Sequence, residues 1–267
     1  MLFFAGNKMH AQNIFDNESS IKYAYYLFEN ERFENAAKEF ERLVYILPQD
    51  DSLKLFLVKS YRKGKVFKQA LLRSHELQIT NNALINEWEK EGLKNLWQSG
   101  QAKKTDSALL VTKAQTVFEK EIATTLGLAY SYKWKEARNK SAENKFADSA
   151  KTNLLHNILV QQKNEKYKSS GVALALSTVI PGLGKVYAGR WKDGIISLLF
   201  VGGMGIQAYR AFDQRGVKST RGWIFATMGT GFYLGNLYGS YHAARIRNNK
   251  INEKYLLQIN NSLDSLY

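Results

Sequence analysis

The sequence predicts an all-α protein in two parts, a helical-repeat soluble domain followed by a helical membrane hairpin, and three observations predict it. From Ser20 onward the apolar residues recur at three and four places, the spacing of amphipathic helices. Leu27, Phe33 and Ala36 return 34 residues later as Tyr61, Phe67 and Ala70, a period typical of repeated helix pairs. Beyond Gly194, the runs Gly194 to Ala208 and Trp223 to Ala244 are almost free of charge and approach the roughly 20 apolar residues that cross a hydrocarbon core.

Composition agrees with two parts. Charged residues crowd into the first two thirds of the 267 residues and glycines into the last third. The net charge of +14 raises the question of nucleic acid, but the cations are spread along helices and thicken beside the apolar segments. That placement suits anionic lipid headgroups, and no basic motif interleaved with aromatics appears, so membrane lipids and not nucleic acid are the expected partners. Cysteine is absent, which excludes disulfides, thiolate metal sites and cysteine nucleophiles.

In chain order, Met1 to Gln12 is apolar and then polar, and Met9-His10-Ala11 before Gln12 has the look of a cleavage site. With a short apolar core and no basic start, residues 1–16 read as a truncated signal peptide and the start of the mature chain. Residues 17–168 form the helical domain. Its first helix pair carries Ala24, Leu27, Phe33, Ala36, Phe40, Leu43 and Pro48 at the small, aromatic and helix-ending places of the repeat family that the pairs resemble; small residues let the two helices approach closely. The second pair, Asp51 to Leu84, keeps Leu57, Tyr61, Phe67, Ala70 and Leu77. A degenerate third pair is expected at Leu126 to Tyr130 and Trp134 to Ala137, with its turn shortened by two residues. Between them a helix carries Ile85, Trp88, Leu96 and Trp97 on one face and stops at Gly100; Gln101 to Thr105 reads as a loop, and Thr105-Asp-Ser as the cap of the next helix. Glu29, Glu31, Glu34, Glu39 and Glu41 read as a solvated face with helical partners such as Lys38 and Arg42.

These helix pairs resemble tetratricopeptide repeats. The resemblance implies a groove lined by the first helix of each pair, presenting Tyr25, Phe28 and Glu29 from the first copy and Lys59, Arg62 and Lys63 from the second. A basic end of that groove suits an acidic segment of a protein partner; the alternative is that Lys59 to Lys63 is a solvated face.

Residues 169–248 form the glycine-rich membrane part, and 249–267 a polar tail. Pro181-Gly-Leu-Gly-Lys-Val-Tyr-Ala-Gly superficially suggests a phosphate loop, but no strand precedes it and Lys185 has no hydroxyl neighbour. It reads instead as a breaker: Pro181 ends a helix, Gly182 and Gly184 permit a tight turn, and Tyr187, Arg190, Trp191 and Lys192 form an interfacial set. Pro181, Gly182, Gly184, Tyr187, Gly189 and Gly194 resemble the TM2-type two-helix module. Lys185 and Val186 depart from the module's His-x-Phe neighbourhood, so the chain is more similar to bacterial envelope proteins of the Bacteroidetes kind that fuse tetratricopeptide repeats to such a hairpin. That resemblance implies no activity.

Gly231, Gly235, Gly239 and Ala243 stand four apart and lay a small-residue seam along one helix face. It serves packing within the chain, or a homo-oligomer. Positive charge flanks both sides of the apolar segments, and the signal-like start favours a periplasmic repeat domain. Asp51-Ser-Leu, Asp106-Ser-Ala and Asp148-Ser-Ala resemble the short O-glycosylation acceptors of exported proteins. No catalytic set is readable: His10, His75, His156 and His242 lie in unrelated settings and no metal spacing links them. The expectation is a non-enzymatic, cofactor-free scaffold anchored in the envelope membrane that binds a protein partner. The alternative is a small oligomeric channel or insertion factor.

Overall fold

The computed structural model describes residues 16–143 and 150–267, all of whose regular elements are helical. The signal-like segment and Asp148 lie outside the described residues. The chain divides into two units, Met1–His156 with Leu263–Tyr267, and Asn157–Ser262.

In the first unit, α1 (Asn17–Glu29), α2 (Phe33–Ile46), α3 (Asp51–Lys63) and α4 (Phe67–Glu76) pack on one another in sequence. Asp16 and Asp50 cap α1 and α3 by accepting from Ser19 and Ser52 backbone N–H groups. The core joins Ala24, Leu27, Ala36, Phe40, Leu43, Leu53 and Leu57. Ala24 and Ala36 are fully buried, so a larger residue at either would force the helices apart. After them come α5 (Asn82–Gln98), a single 3-10 turn at Ala102–Lys104, α6 (Thr105–Leu109), α7 (Val117–Tyr130) and α8 (Trp134–Glu143). Thr116 and Glu119 form a reciprocal capping box at the start of α7.

The same turn closes three helices. After α1, α3 and α7 the backbone N–H groups of Arg32, Val66 and Lys133 reach back to the carbonyls of Leu27, Tyr61 and Leu128. Glu31, Lys65 and Tyr132 each take the left-handed conformation, at φ 59°, 61° and 60°. Leu128 to Trp134 therefore spans the same number of residues as Leu27 to Phe33, and the turn expected to be shortened in the third pair is not.

Three local expectations are also corrected. Thr105 does not cap α6: its hydroxyl accepts from Trp97 Nε1 at 2.9 Å and donates to the Ala102 carbonyl at 2.6 Å. Glu41 is not on the solvated face, since Arg73 holds both of its oxygens at 2.7 and 2.9 Å and Tyr61 donates to it at 2.9 Å. Asp51 is only 5% exposed and accepts from Thr80 N, Asn81 N and Lys54 Nζ, which ties the loop before α5 to α3. Its carboxylate is not free to serve as part of a surface acceptor pattern.

α9 (Ala150–Lys163) precedes α10 (Ser170–Val179), α11 (Leu183–Tyr187), α12 (Trp191–Arg215) and α13 (Thr220–Leu266). The stretch Trp191–Lys218 is long and apolar enough to cross a membrane, with only 11% of its most apolar window buried; α10 is a shorter apolar helix. Phe200 packs on Phe232, Met204 lies against Gly229, and Phe212 meets Trp223, so α12 and α13 pair in opposite chain order. Residues 249–266, a polar tail by composition, continue α13. Ile251, Tyr255, Ile259 and Leu263 recur every fourth residue and are buried.

Candidate functional site

Two places in the molecule concentrate chemistry. The first is the face of α3, α5 and α7. Arg62 is 5% exposed and its guanidinium is paired with Glu91, which is fully buried. A second arm of the same guanidinium donates to Asp264 at 2.8 Å, and Lys63 and Lys94 meet that carboxylate at 3.1 and 3.2 Å. Burial alone would raise the Asp264 pKa; Arg62, Lys94 and Lys63 outweigh it and hold the carboxyl well below the usual range. Tyr267 lies beside it, 5% exposed, with its ring 5.3 Å from that of Trp97, its hydroxyl bonded to Gln115 and Lys90 over its face. Leu263 and Leu266 are buried as well. An acid-and-aromatic segment thus sits on a surface of cations and tryptophan.

The six residues expected to bind a partner separate into three settings. Tyr25, Phe28 and Lys59 are brought together around Phe56, which the sequence reading missed, and Lys63 reaches from the Phe28 ring to Asp264. Tyr25 and Phe28 meet its ring edge-on at 4.7 and 5.0 Å, and Lys59 Nζ stands 5.3 Å above it. Lys63 lies 5.8 Å from the Phe28 ring, and Lys59 also pairs with Glu87 at 3.0 Å. Glu29 is exposed at the end of α1. Arg62 is not presented outward at all, because Glu91 and Asp264 occupy it.

The second place is the glycine-rich turn. Gly182 takes φ +90°, and a Cβ there would strike the carbonyl of Gly194. A Cβ on Gly184 would strike the Ala173 carbonyl and the Ser177 hydroxyl. The motif thus does more than turn the chain: it seats α11 against α10 and against the start of α12, backbone on backbone. Gly184 N donates to Ser177 Oγ at 2.9 Å, and Ser177 Oγ donates to Ser240 Oγ at 2.7 Å. Tyr187 packs on Ala173, Ala188, Ala243 and Ala244, accepts from Ser169 N at 3.3 Å and carries Lys168 Nζ 4.4 Å above its ring.

Of the seam, Ala243 is buried and Gly239 lies under the Lys185 side chain, whereas a Cβ on Gly231 or Gly235 would meet nothing within 4 Å. The seam is therefore split. Its lower half packs within the chain, and its upper half borders open space. A cationic cavity of about 420 Å³ lies beside Gly189, lined by Arg190, Arg247, Lys250 and Lys254, with Glu165 pairing Lys254 at 2.7 Å.

Among the described residues no cluster of three or more His, Asp or Glu is arranged to hold a metal ion. Comparison with protein families, with curated proteins and with solved structures finds no match.

Proposed function

We propose that the protein is a non-enzymatic scaffold anchored in the bacterial envelope membrane, whose tetratricopeptide-like domain binds an acidic and aromatic segment of a protein partner. The observation that carries this reading is that the face of α3, α5 and α7 already holds such a segment, Leu263–Tyr267, from the chain itself. A surface that offers Arg62, Lys63 and Lys94 to one carboxylate and Trp97 to the neighbouring ring selects that chemistry. Three helix pairs closed by one turn geometry support the repeat assignment, and the length and exposed apolar faces of Trp191–Lys218 support the anchor. The glycine-rich turn then serves the anchor, and the repeat domain lies in the periplasm. Tethering raises the local concentration of the partner without improving any single contact.

Photocrosslinkers placed at Tyr25 and Lys59 in the full chain, in cells, test the reading. A single partner protein is expected, and its yield should rise when Asp264→Lys repels the chain's own segment from the cations. A further photocrosslinker at the exposed Leu234 that captures only a second copy of this chain, while Tyr25 and Lys59 capture no partner, would favour the oligomeric channel or insertion factor. That second reading draws support from the unfilled space beside Gly231 and Gly235.

A further inference from the structure

A second, smaller cavity of about 300 Å³ lies where Lys185, Ser197 and Asn236 converge, with Gly231 and Gly235 in its wall. Lys185 Nζ donates to Ser197 Oγ at 2.7 Å, and the Ser197 hydroxyl in turn donates to the Asp193 carbonyl at 2.8 Å. An ammonium has three N–H groups, so two remain for another acceptor. Among the described residues no carboxylate stands within ion-pair distance of Lys185, and the Asp193 carboxylate is taken by Arg190 at 2.6 Å. Asn236 is 3% exposed, yet neither its amide nitrogen nor its oxygen has a hydrogen-bond partner. Buried amides are satisfied as a rule, and an unsatisfied one lining a cavity marks the place of a missing partner.

The glycines explain how the space exists. Side chains at 231 and 235 would project into the cavity, and one at 239 would stand 3.0 Å from Lys185 Cε and displace it. The rim is apolar and open: Ile196, Phe200 and Phe232 are 52%, 49% and 42% exposed. The volume equals about ten water molecules at roughly 30 Å³ each, enough for a polar head and not for acyl chains.

We propose that this cavity binds the head of an anionic phosphoglyceride, with a phosphate oxygen on the Lys185 ammonium, an ester carbonyl on the Asn236 amide nitrogen, and the acyl chains leaving past Phe200 and Phe232. The source of the ligand rests on the membrane reading above; the cavity and its polar groups do not. Basic residues outside the cavity would hold such lipids only loosely, as a diffuse layer.

The test uses the purified full chain in a non-ionic detergent, titrated with dihexanoyl phosphatidylglycerol, dihexanoyl phosphatidylcholine or inorganic phosphate, with bound mass counted by native mass spectrometry. One phosphatidylglycerol per chain is expected, retained at least tenfold better than phosphatidylcholine. Lys185→Gln and Gly235→Leu should each lower retention tenfold or more, while Lys185→Arg keeps it. Lys250→Gln, in the neighbouring cationic cavity, should leave it unchanged. Equal retention by wild type, Lys185→Gln and Gly235→Leu overturns the proposal, as does a loss produced by Lys250→Gln alone. Inorganic phosphate binding with the same Lys185 dependence and no lipid preference assigns the cavity to a free anion and overturns the lipid. Flotation with phosphatidylcholine vesicles reads the membrane assignment separately: a chain that stays unbound there fails the anchor, and the detergent titration still decides the cavity.

Discussion

The first unit is held together by what its side chains bring, the second by what they leave out. Around α3 and α5 a guanidinium, a buried carboxylate and two lysines converge with Asp264, and aromatic rings pack edge-on around Phe56. Around α11 the decisive contacts are backbone to backbone, made possible by Gly182, Gly184 and Gly194, with alanines filling the rest. The difference is the one the proposed membrane anchor calls for. A helix packed in water gains from burying large apolar surface, whereas helices in an apolar medium associate through close fit and hydrogen bonds. The two units should therefore fail in different ways.

The largest effect is expected at Arg62. Arg62→Met strands the fully buried Glu91 without its partner, and breaking such a pair costs about 3–5 kcal/mol. Arg62→Met with Glu91→Leu should recover most of that loss, because the pair's own attraction is largely offset by desolvation. Urea unfolding followed by circular dichroism reads both variants. A single variant within about 1 kcal/mol of wild type would refute the account of this cluster.

Acid should separate the units next. Burial would raise the pKa of Asp51, but bonds from Lys54, Asn81 and Thr80 bring it from 3.8 to about 2. Glu119 falls likewise from 4.5 to about 2, against burial, through Lys90, Thr116 and Asn86. Groups depressed in the folded state contribute stability that is complete above their unfolded pKa and lost as pH falls through the folded one. The first unit should be indifferent to pH above about 5 and weaken from pH 4.5 down to about 2. The glycine contacts of the second unit contain no carboxylate, so protection from amide exchange there should persist below pH 4 after the first unit has opened. Simultaneous opening would remove the contrast.

Gly184→Ala comes third, at about 3 kcal/mol, the upper range for overpacking, since its Cβ meets the Ala173 backbone, which cannot rotate away. Gly202→Ala has open space and should be neutral or stabilising by up to about 1 kcal/mol. Thermal melts of both variants in detergent make the comparison.

How much of this was legible varies along the chain for physical reasons. The first two helix pairs were readable because Leu27, Phe33 and Ala36 and their counterparts stand at fixed spacing. The third pair was misread in length because it was aligned from Leu126, whereas the residue that stands where Leu27 and Tyr61 stand in the first two turns is Leu128. Residues 249–266 look polar, and only the fourfold spacing of Ile251, Tyr255, Ile259 and Leu263 gives their buried face away. Arg62 was expected to face a partner because the repeat resemblance lines the groove with the first helix of each pair; its partners Glu91 and Asp264 are 29 and 202 residues distant, and no local pattern announces contacts of that range. The glycines of the turn were legible as a motif, but which backbone each one admits was not, since that depends on the meeting of α10, α11 and α12. Lys185 stood out in sequence as a departure from the two-helix module that the motif resembles, while the unpartnered Asn236 beside it needed the structure.

The smallest effect sharpens the comparison most directly. Glu31, Lys65 and Tyr132 occupy the left-handed conformation that a side chain disfavours by roughly 1–2 kcal/mol. Glycine is the usual residue at that place after a helix. Lys65 is exposed and makes no ion pair among the described residues, so Lys65→Gly removes the strain and sacrifices no contact. Greater backbone freedom in the unfolded chain takes back part of the gain, leaving a net stabilisation of about 0.5–1 kcal/mol. In the second unit the reciprocal change, a side chain in place of glycine at 182 or 184, is expected only to harm. If Lys65→Gly instead destabilises, the turn after α3 is being held by the lysine stem, and the first unit depends on its side chains even where its backbone is strained.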